Sequence, residues 1–129
     1  MDFWVIEARV KRNNLPVLAG DNYRDNLSNL VTNLAKSGKN VYLGIESDDG
    51  IYTLLGSDKV YFTAASGLES EVSNSDFLKI LQRNAMNIGK SGDFQYVTIE
   101  SGESVWVKDG PTMCALWNTL LLLDDCQEK

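Results

Sequence analysis

Residues 41–65, VYLGIESDDGIYTLLGSDKVYFTAA, decide the fold. Val41, Leu43 and Ile45 alternate with Tyr42, Gly44 and Glu46, and Asp48-Asp49-Gly50 then hands the chain to a second apolar run, Ile51 to Leu55. Period-two alternation broken by an Asp-Gly step predicts a β-hairpin, because the glycine supplies the backbone conformation the tight turn needs. Gly56-Ser57-Asp58 makes a second turn, and Lys59 to Ala65 gives a third run of aromatic and branched residues. Three consecutive antiparallel strands are the simplest connection.

Working outward, a helix is predicted to deliver the chain into this meander. Asp21 or Asn22 can cap it, Tyr23, Leu27, Leu30, Val31 and Leu34 form its apolar stripe, and Gly38 ends it. Before it, Asp2 to Lys11 alternates, with Trp4, Ile6, Ala8 and Val10 on one side, and reads as a half-buried strand. Asn13-Asn14 and Pro16 end that strand, and a loop to Gly20 is expected to fold Leu15, Val17 and Leu18 back on the core.

Beyond the meander, Ser66 to Ser75 is polar and loop-like. Ser75 or Asp76 can then cap a helix carrying Phe77, Ile80, Leu81 and Ile88. After the breaker cluster Gly89 to Asp93, Phe94 to Glu100 and Ser104 to Lys108 alternate around Ser101-Gly102 as a further hairpin. A last helix starts at Pro111 and presents Met113, Leu116, Trp117, Leu120 and Leu121 or Leu123. The expected architecture is α+β, one domain over residues 1–129. A mainly antiparallel sheet of about five to six strands carries two or three helices on one face, in the order β-α-β-β-β-(α)-β-β-α.

A chain of 129 residues with 43% hydrophobic content can bury a sufficient core without a covalent staple. Cys114 and Cys126 are twelve residues apart along one predicted helix, about 18 Å of rise, too far for a disulfide. Two free thiols suit a reducing compartment. The start, Met1-Asp2-Phe3-Trp4, lacks the basic and apolar regions of a signal peptide, and Leu120 to Leu123 is too short to span a bilayer. A cytoplasmic protein without a membrane segment is the expectation.

Catalytic signals are weak. The chain has no histidine, which removes the commonest general base and metal ligand. Asn84 to Ser91 resembles a phosphate-binding loop but has Asn84 where the first glycine belongs, and it follows a helix rather than a strand. Cys114 has no base to activate it and reads as a small buried hydrophobe. Asp48-Asp49-Gly50 lacks the later ligands of a calcium loop. No catalytic residue, metal site or cofactor is expected.

Charge is the feature that stands out. The net charge is −6, which disfavours direct contact with nucleic acid and favours a basic protein surface. Residues 40–78 carry seven acids, Glu46, Asp48, Asp49, Asp58, Glu69, Glu71 and Asp76, against the single base Lys59. Carboxylates collect in turns for local reasons alone. The same seven would also serve as a partner-binding surface that steers a basic protein, with Tyr42, Tyr52, Tyr61 and Trp106 as candidate aromatic anchors.

Between about Asn22 and Leu123 the order of segments resembles the first-numbered immunity family of bacterial polymorphic toxin systems, which includes partners of deaminase toxins. The likeness rests on the Leu27, Leu30 and Leu34 helix, the Asn40-Val-Tyr-Leu-Gly-Ile-Glu46 strand and its hairpin, Tyr61-Phe-Thr, and a late hairpin leading into a terminal helix after Val107. The family tends to place a valine-proline step before that helix, whereas here Lys108-Asp109-Gly110 separates Val107 from Pro111. The resemblance implies a cytoplasmic, non-enzymatic protein that binds a cognate toxin domain and covers its active site. Three alternatives stand beside it: a phage-type inhibitor of a nucleic-acid enzyme, a small-molecule-binding or lyase-type α+β domain using carboxylates such as Glu46 and Glu100, and a structural or scaffold subunit. Whether the chain is a monomer or a dimer is open, since meander edges can pair.

Overall fold

The computed structural model describes residues 3–12, 14–25, 27–64, 67–88, 96–99 and 102–127. Their elements run α1 (Phe3–Arg12), α2 (Leu15–Ala19), a 3-10 turn (Gly20–Asn22), β1 (Tyr23–Arg24), α3 (Asn29–Lys36), β2 (Val41–Glu46), β3 (Tyr52–Gly56), β4 (Lys59–Thr63), β5 (Glu69–Ser73), α4 (Asn74–Ile88), β6 (Tyr96–Thr98), β7 (Ser104–Trp106) and α5 (Gly110–Gln127). The fold is α+β. The first five strands form one antiparallel sheet in the order β1-β2-β3-β4-β5, and β6 and β7 form a separate antiparallel pair.

The meander forms as its turns dictate, and one turn design recurs in three hairpins. Ser47 donates its N–H to the Ile51 carbonyl at 2.7 Å, and Gly50 donates back to Ser47 at 3.0 Å. Ala64 with Leu68 and Gly67 repeats the pattern, as does Ile99 with Glu103 and Gly102. The three glycines have φ of +86°, +94° and +91°, the left-handed conformation that closes such a turn without opposing a Cβ.

Alternation along the strands gives the sheet two covered faces. Leu43, Ile45, Leu55, Val60 and Phe62 belong to the main core, together with Ile6, Phe77 and Leu116 from helices and Val105 from the small hairpin. Tyr52, Leu54 and Tyr61 point the other way and pack with Val31, Leu30 and Leu34 of α3. An irregularity between Val41 and Leu43 lets Val41 join this second cluster. The helices therefore do not all lie on one face, as the sequence suggested, because α3 seals the other.

Three further expectations are corrected. Asp2 to Lys11 was predicted as a strand, but residues 3–12 are helical. Ile6 and Val10 are fully buried while Ala8 is exposed, so the apolar period is four rather than two. Glu7 and Lys11 form the matching i,i+4 ion pair at 3.4 Å on the outside. In the following segment Pro16 lies in the first turn of α2 rather than in a loop; Leu15 is buried as expected, but Val17 is 79% exposed. The polar stretch 66–75 was predicted to be a loop, yet Glu69 to Ser73 pair with Lys59 to Thr63 as β5.

The helix ends show why the chain turns where it does. The predicted meander-leading helix begins later than Asp21, with Ser28 as its cap accepting the Val31 N–H, while Tyr23 and Arg24 pair with β2. Its end is as read: Lys39 donates to Leu34 and Gly38 to Ala35, a Schellman closure around Gly38 at φ +99°. At α4 the cap is Ser73, whose Oγ accepts the Asp76 N–H at 3.2 Å, two to three residues before those predicted. Asn74, wholly buried, donates Nδ2 to the Gly56 carbonyl at 3.2 Å and its backbone N–H to the Asp58 carbonyl at 3.0 Å. That residue ties the β3–β4 turn to the start of α4.

Asp109 caps α5. Its Oδ1 accepts the Thr112 N–H at 2.8 Å and its Oδ2 takes the Lys108 ammonium at 2.9 Å. Burial alone would raise this carboxyl, but its bonds from Thr112 and Lys108 outweigh that and hold it below its ordinary 3.8. A carboxyl depressed on folding contributes stability that is present above its unfolded value and lost as pH falls through the folded one. Asp109→Asn, which can still cap, should therefore cost only a few tenths of a kcal/mol at neutral pH, whereas Asp109→Ala should cost about 1 kcal/mol. Urea melts repeated below about pH 4 should show the wild type losing more stability than Asp109→Asn. Equal losses in the two proteins would mean that the carboxylate contributes nothing at the helix start.

Candidate functional site

The seven acids proposed from the sequence do not converge. Antiparallel pairing puts the 47–51 and 64–68 turns at one end of the sheet and the Ser57-Asp58 turn at the other. Asp48 and Asp49 therefore sit exposed at the first end, near Glu46 and Glu69, while Asp58 sits at the second, beside the α4 start that carries Asp76. Glu71 lies mid-strand on β5.

Two of the seven are held by cations. Glu46 takes the Arg24 guanidinium at 2.8 Å, and the same guanidinium donates to the Asp21 and Tyr23 carbonyls, so this pair fastens β1 to β2. Glu71 takes Lys59 from the neighbouring strand at 2.9 Å. Among the described residues Asp48, Asp49, Asp58, Glu69 and Asp76 make no ion pair. Each is exposed.

The structure adds a feature that charge counting missed. Along β5 runs a groove of about 440 Å³ lined by Ser70, Glu71, Val72 and Ser73 on one side. Asp76 and Ile80 of α4, with Ile99 and Glu103 of the small hairpin, line it opposite. Three of these residues are acidic and none is basic. Ser70 Oγ donates to Glu103 at 3.3 Å, joining the strand to the hairpin. Only Glu71 and Asp76 were among the residues proposed. The Ser66-Gly67 step was the readable sign of a hairpin leading into β5, but Ile80, Ile99 and Glu103 come together only through tertiary packing.

The other candidates resolve into structure. Tyr52, Tyr61 and Trp106 are buried, Tyr42 packs half-buried against the main core, and the Lys39 ammonium lies 5.5 Å from the Tyr61 ring centre. Asn84 to Ile88 are the end of α4, and Gly89 to Ser91 lie outside the described residues, as do Glu100 and the side chain of Cys126. Cys114 is a half-buried free thiol. No three His, Cys, Asp or Glu among the described residues converge as a metal site would require. None of the described helices is long and apolar enough to cross a membrane.

Among the described residues, every resolved shift in proton affinity moves a group away from neutrality. Burial, aided by Asp25 and Glu7, pushes the Tyr23 phenol up to about 12. Burial likewise raises Tyr52, with Glu69 adding to it, and Tyr61, with Asp58 and Glu71 adding. Lys59 is raised by its bond to Glu71, and Asp109 is lowered.

Comparison of the chain with protein-family models, curated proteins and solved structures finds no match.

Proposed function

We propose that this chain is an immunity-type binding protein that holds a basic, nucleic-acid-directed toxin domain and blocks its active site, with no chemistry of its own. The resemblance read in the sequence supplies the class of partner. The observation that carries the reading is the set of exposed carboxylates, Asp48, Asp49, Asp58, Glu69 and Asp76, which make no ion pair among the described residues. A groove built for phosphates is basic, and such carboxylates can meet it in their place.

The experiment is a pull-down of the tagged chain from its native host at low and high salt, followed by association kinetics on the retained partner. A basic toxin domain held at about 1:1 and associating more slowly as salt rises is the expected result. Neutralising Asp48, Asp49 and Glu69 to their amides should slow association about tenfold at low salt and change dissociation far less. An empty pull-down from cells shown to express a neighbouring toxin, or an unchanged on-rate in the triple variant, would overturn the proposal.

A further inference from the structure

We infer that the outer edge of β5 is a docking groove for an extended basic segment, which adds to the sheet as a further strand. The inference deepens the binding role proposed above by naming how a partner is gripped, and it rests on that reading only for the partner's origin.

Three observations lead there. First, β5 is the last strand of the sheet: it pairs with β4, and no described strand hydrogen-bonds to its other side. Sheet edges are ordinarily blunted by bulges, proline or charged side chains. Here Lys59 to Thr63 match Ser73 to Glu69 in unbroken register without proline, and the charges on β5, Glu69 and Glu71, are both acidic, so the edge repels an acidic strand and admits a basic one. Second, the groove follows this edge. Four consecutive β5 residues form one wall while α4 and the small hairpin form the other, so the space borders the strand along most of its length. Added strands take their affinity from the backbone groups of an edge and their specificity from alternate side chains.

Third, the lining says which segment fits. Ser70 and Val72 pair with Phe62 and Val60, so they share the core-side face, and Val72 meets the nearly buried Ile80 and Ile99 in the groove. One apolar side chain of an added strand is accommodated there. Glu71 projects to the opposite face, alongside its partner Tyr61, while Asp76 and Glu103 stand on the far wall. An added strand alternating basic and apolar residues matches both. A second copy of the chain does not, because antiparallel pairing of two β5 strands centred on Glu71 would set Glu71 against Glu71, and like charges directly opposed destabilise a ladder.

The test uses the full chain and a capped nonapeptide of alternating lysine and valine, with two controls. One control carries N-methyl groups on alternate amides, in both possible registers, and the other replaces lysine by glutamate. Binding is followed by calorimetry, and hydrogen exchange locates it. The lysine peptide should slow exchange at Glu71 and Ser73, whose N–H groups point away from β4, about tenfold or more. The glutamate peptide and the N-methylated peptide whose methyl groups face β5 should not, whereas the one methylated on its other amides should still bind, and Glu71→Gln with Asp76→Asn should weaken binding about tenfold. Absence of binding, equal binding of an N-methylated peptide in both registers, or protection mapping elsewhere would overturn strand addition, as would a concentration-dependent dimer protected at the same residues. A toxin partner bound while this edge stays unprotected defeats the groove alone, whereas peptide docking without any toxin partner defeats the immunity reading alone.

Discussion

Phe62→Ala is expected to remove about 3–5 kcal/mol of folding stability, a large share of the 5–15 kcal/mol typical of a domain. Phe62 is fully buried near the middle of β4, flanked by Thr53 of β3 and Ser70 of β5. Its ring lies in the core that the sheet shares with the helices. Truncation removes apolar contact and leaves a void that two paired strands prevent from collapsing. The consequence reaches further than β4, because Thr53 donates its hydroxyl to the Trp106 carbonyl and so ties this part of the sheet to the small hairpin. A guanidinium chloride melt should show a lower midpoint with an unchanged slope. Leu121→Ala, at a side chain 44% exposed, should stay within about 0.5 kcal/mol of wild type. A loss below about 1 kcal/mol for Phe62→Ala would mean that the packing around it is wrong.

The parts of the fold legible in the sequence were those specified locally. Alternation and Asp-Gly punctuation define β2 and β3 without help from the rest of the chain, and Gly38 marks its helix end because only the local backbone matters there. The N-terminal segment failed for a specific reason. Ile6 and Val10 satisfy both period two and period four, and burial of α1 against α5 decides between them; the Glu7–Lys11 spacing was the readable hint. β5 failed differently, since Val72 is its one strong strand former. Pairing with β4, not intrinsic preference, makes it a strand. The candidate site was legible only as charge. Sequence separation told which acids were close along the chain, but not that turns at opposite ends of the sheet would disperse them, nor that Arg24 and Lys59 would hold two of them.

Gly44→Ala is expected to cost about 3 kcal/mol, the upper end of the usual penalty for overpacking, although it adds a single methyl group. Gly44 sits mid-strand in β2 with Arg24 opposite on one side and Leu54 on the other, so strands flank it both ways. A Cβ there would lie 2.2 Å from the Thr53 carbonyl oxygen and 2.6 Å from the Leu54 Cα. Both are backbone atoms, and moving them means moving β3. Alternation alone made Gly44 an ordinary outward position; the close approach of β3 is what requires the glycine. Gly50→Ala separates this clash from the general effect of losing a glycine. At Gly50 nothing lies within 4 Å of the added Cβ, but φ is +86°, so the cost should be conformational only, about 1–2 kcal/mol. Thermal melts of the two variants should therefore rank Gly44→Ala well below Gly50→Ala. The difference should grow in Gly44→Val, while Gly50→Asn, which tolerates the left-handed conformation, should recover part of its loss. If Gly44→Ala were instead the milder variant, β2 and β3 could not be as close as they are placed, and the register that aligns Glu46 with Tyr52 would be wrong.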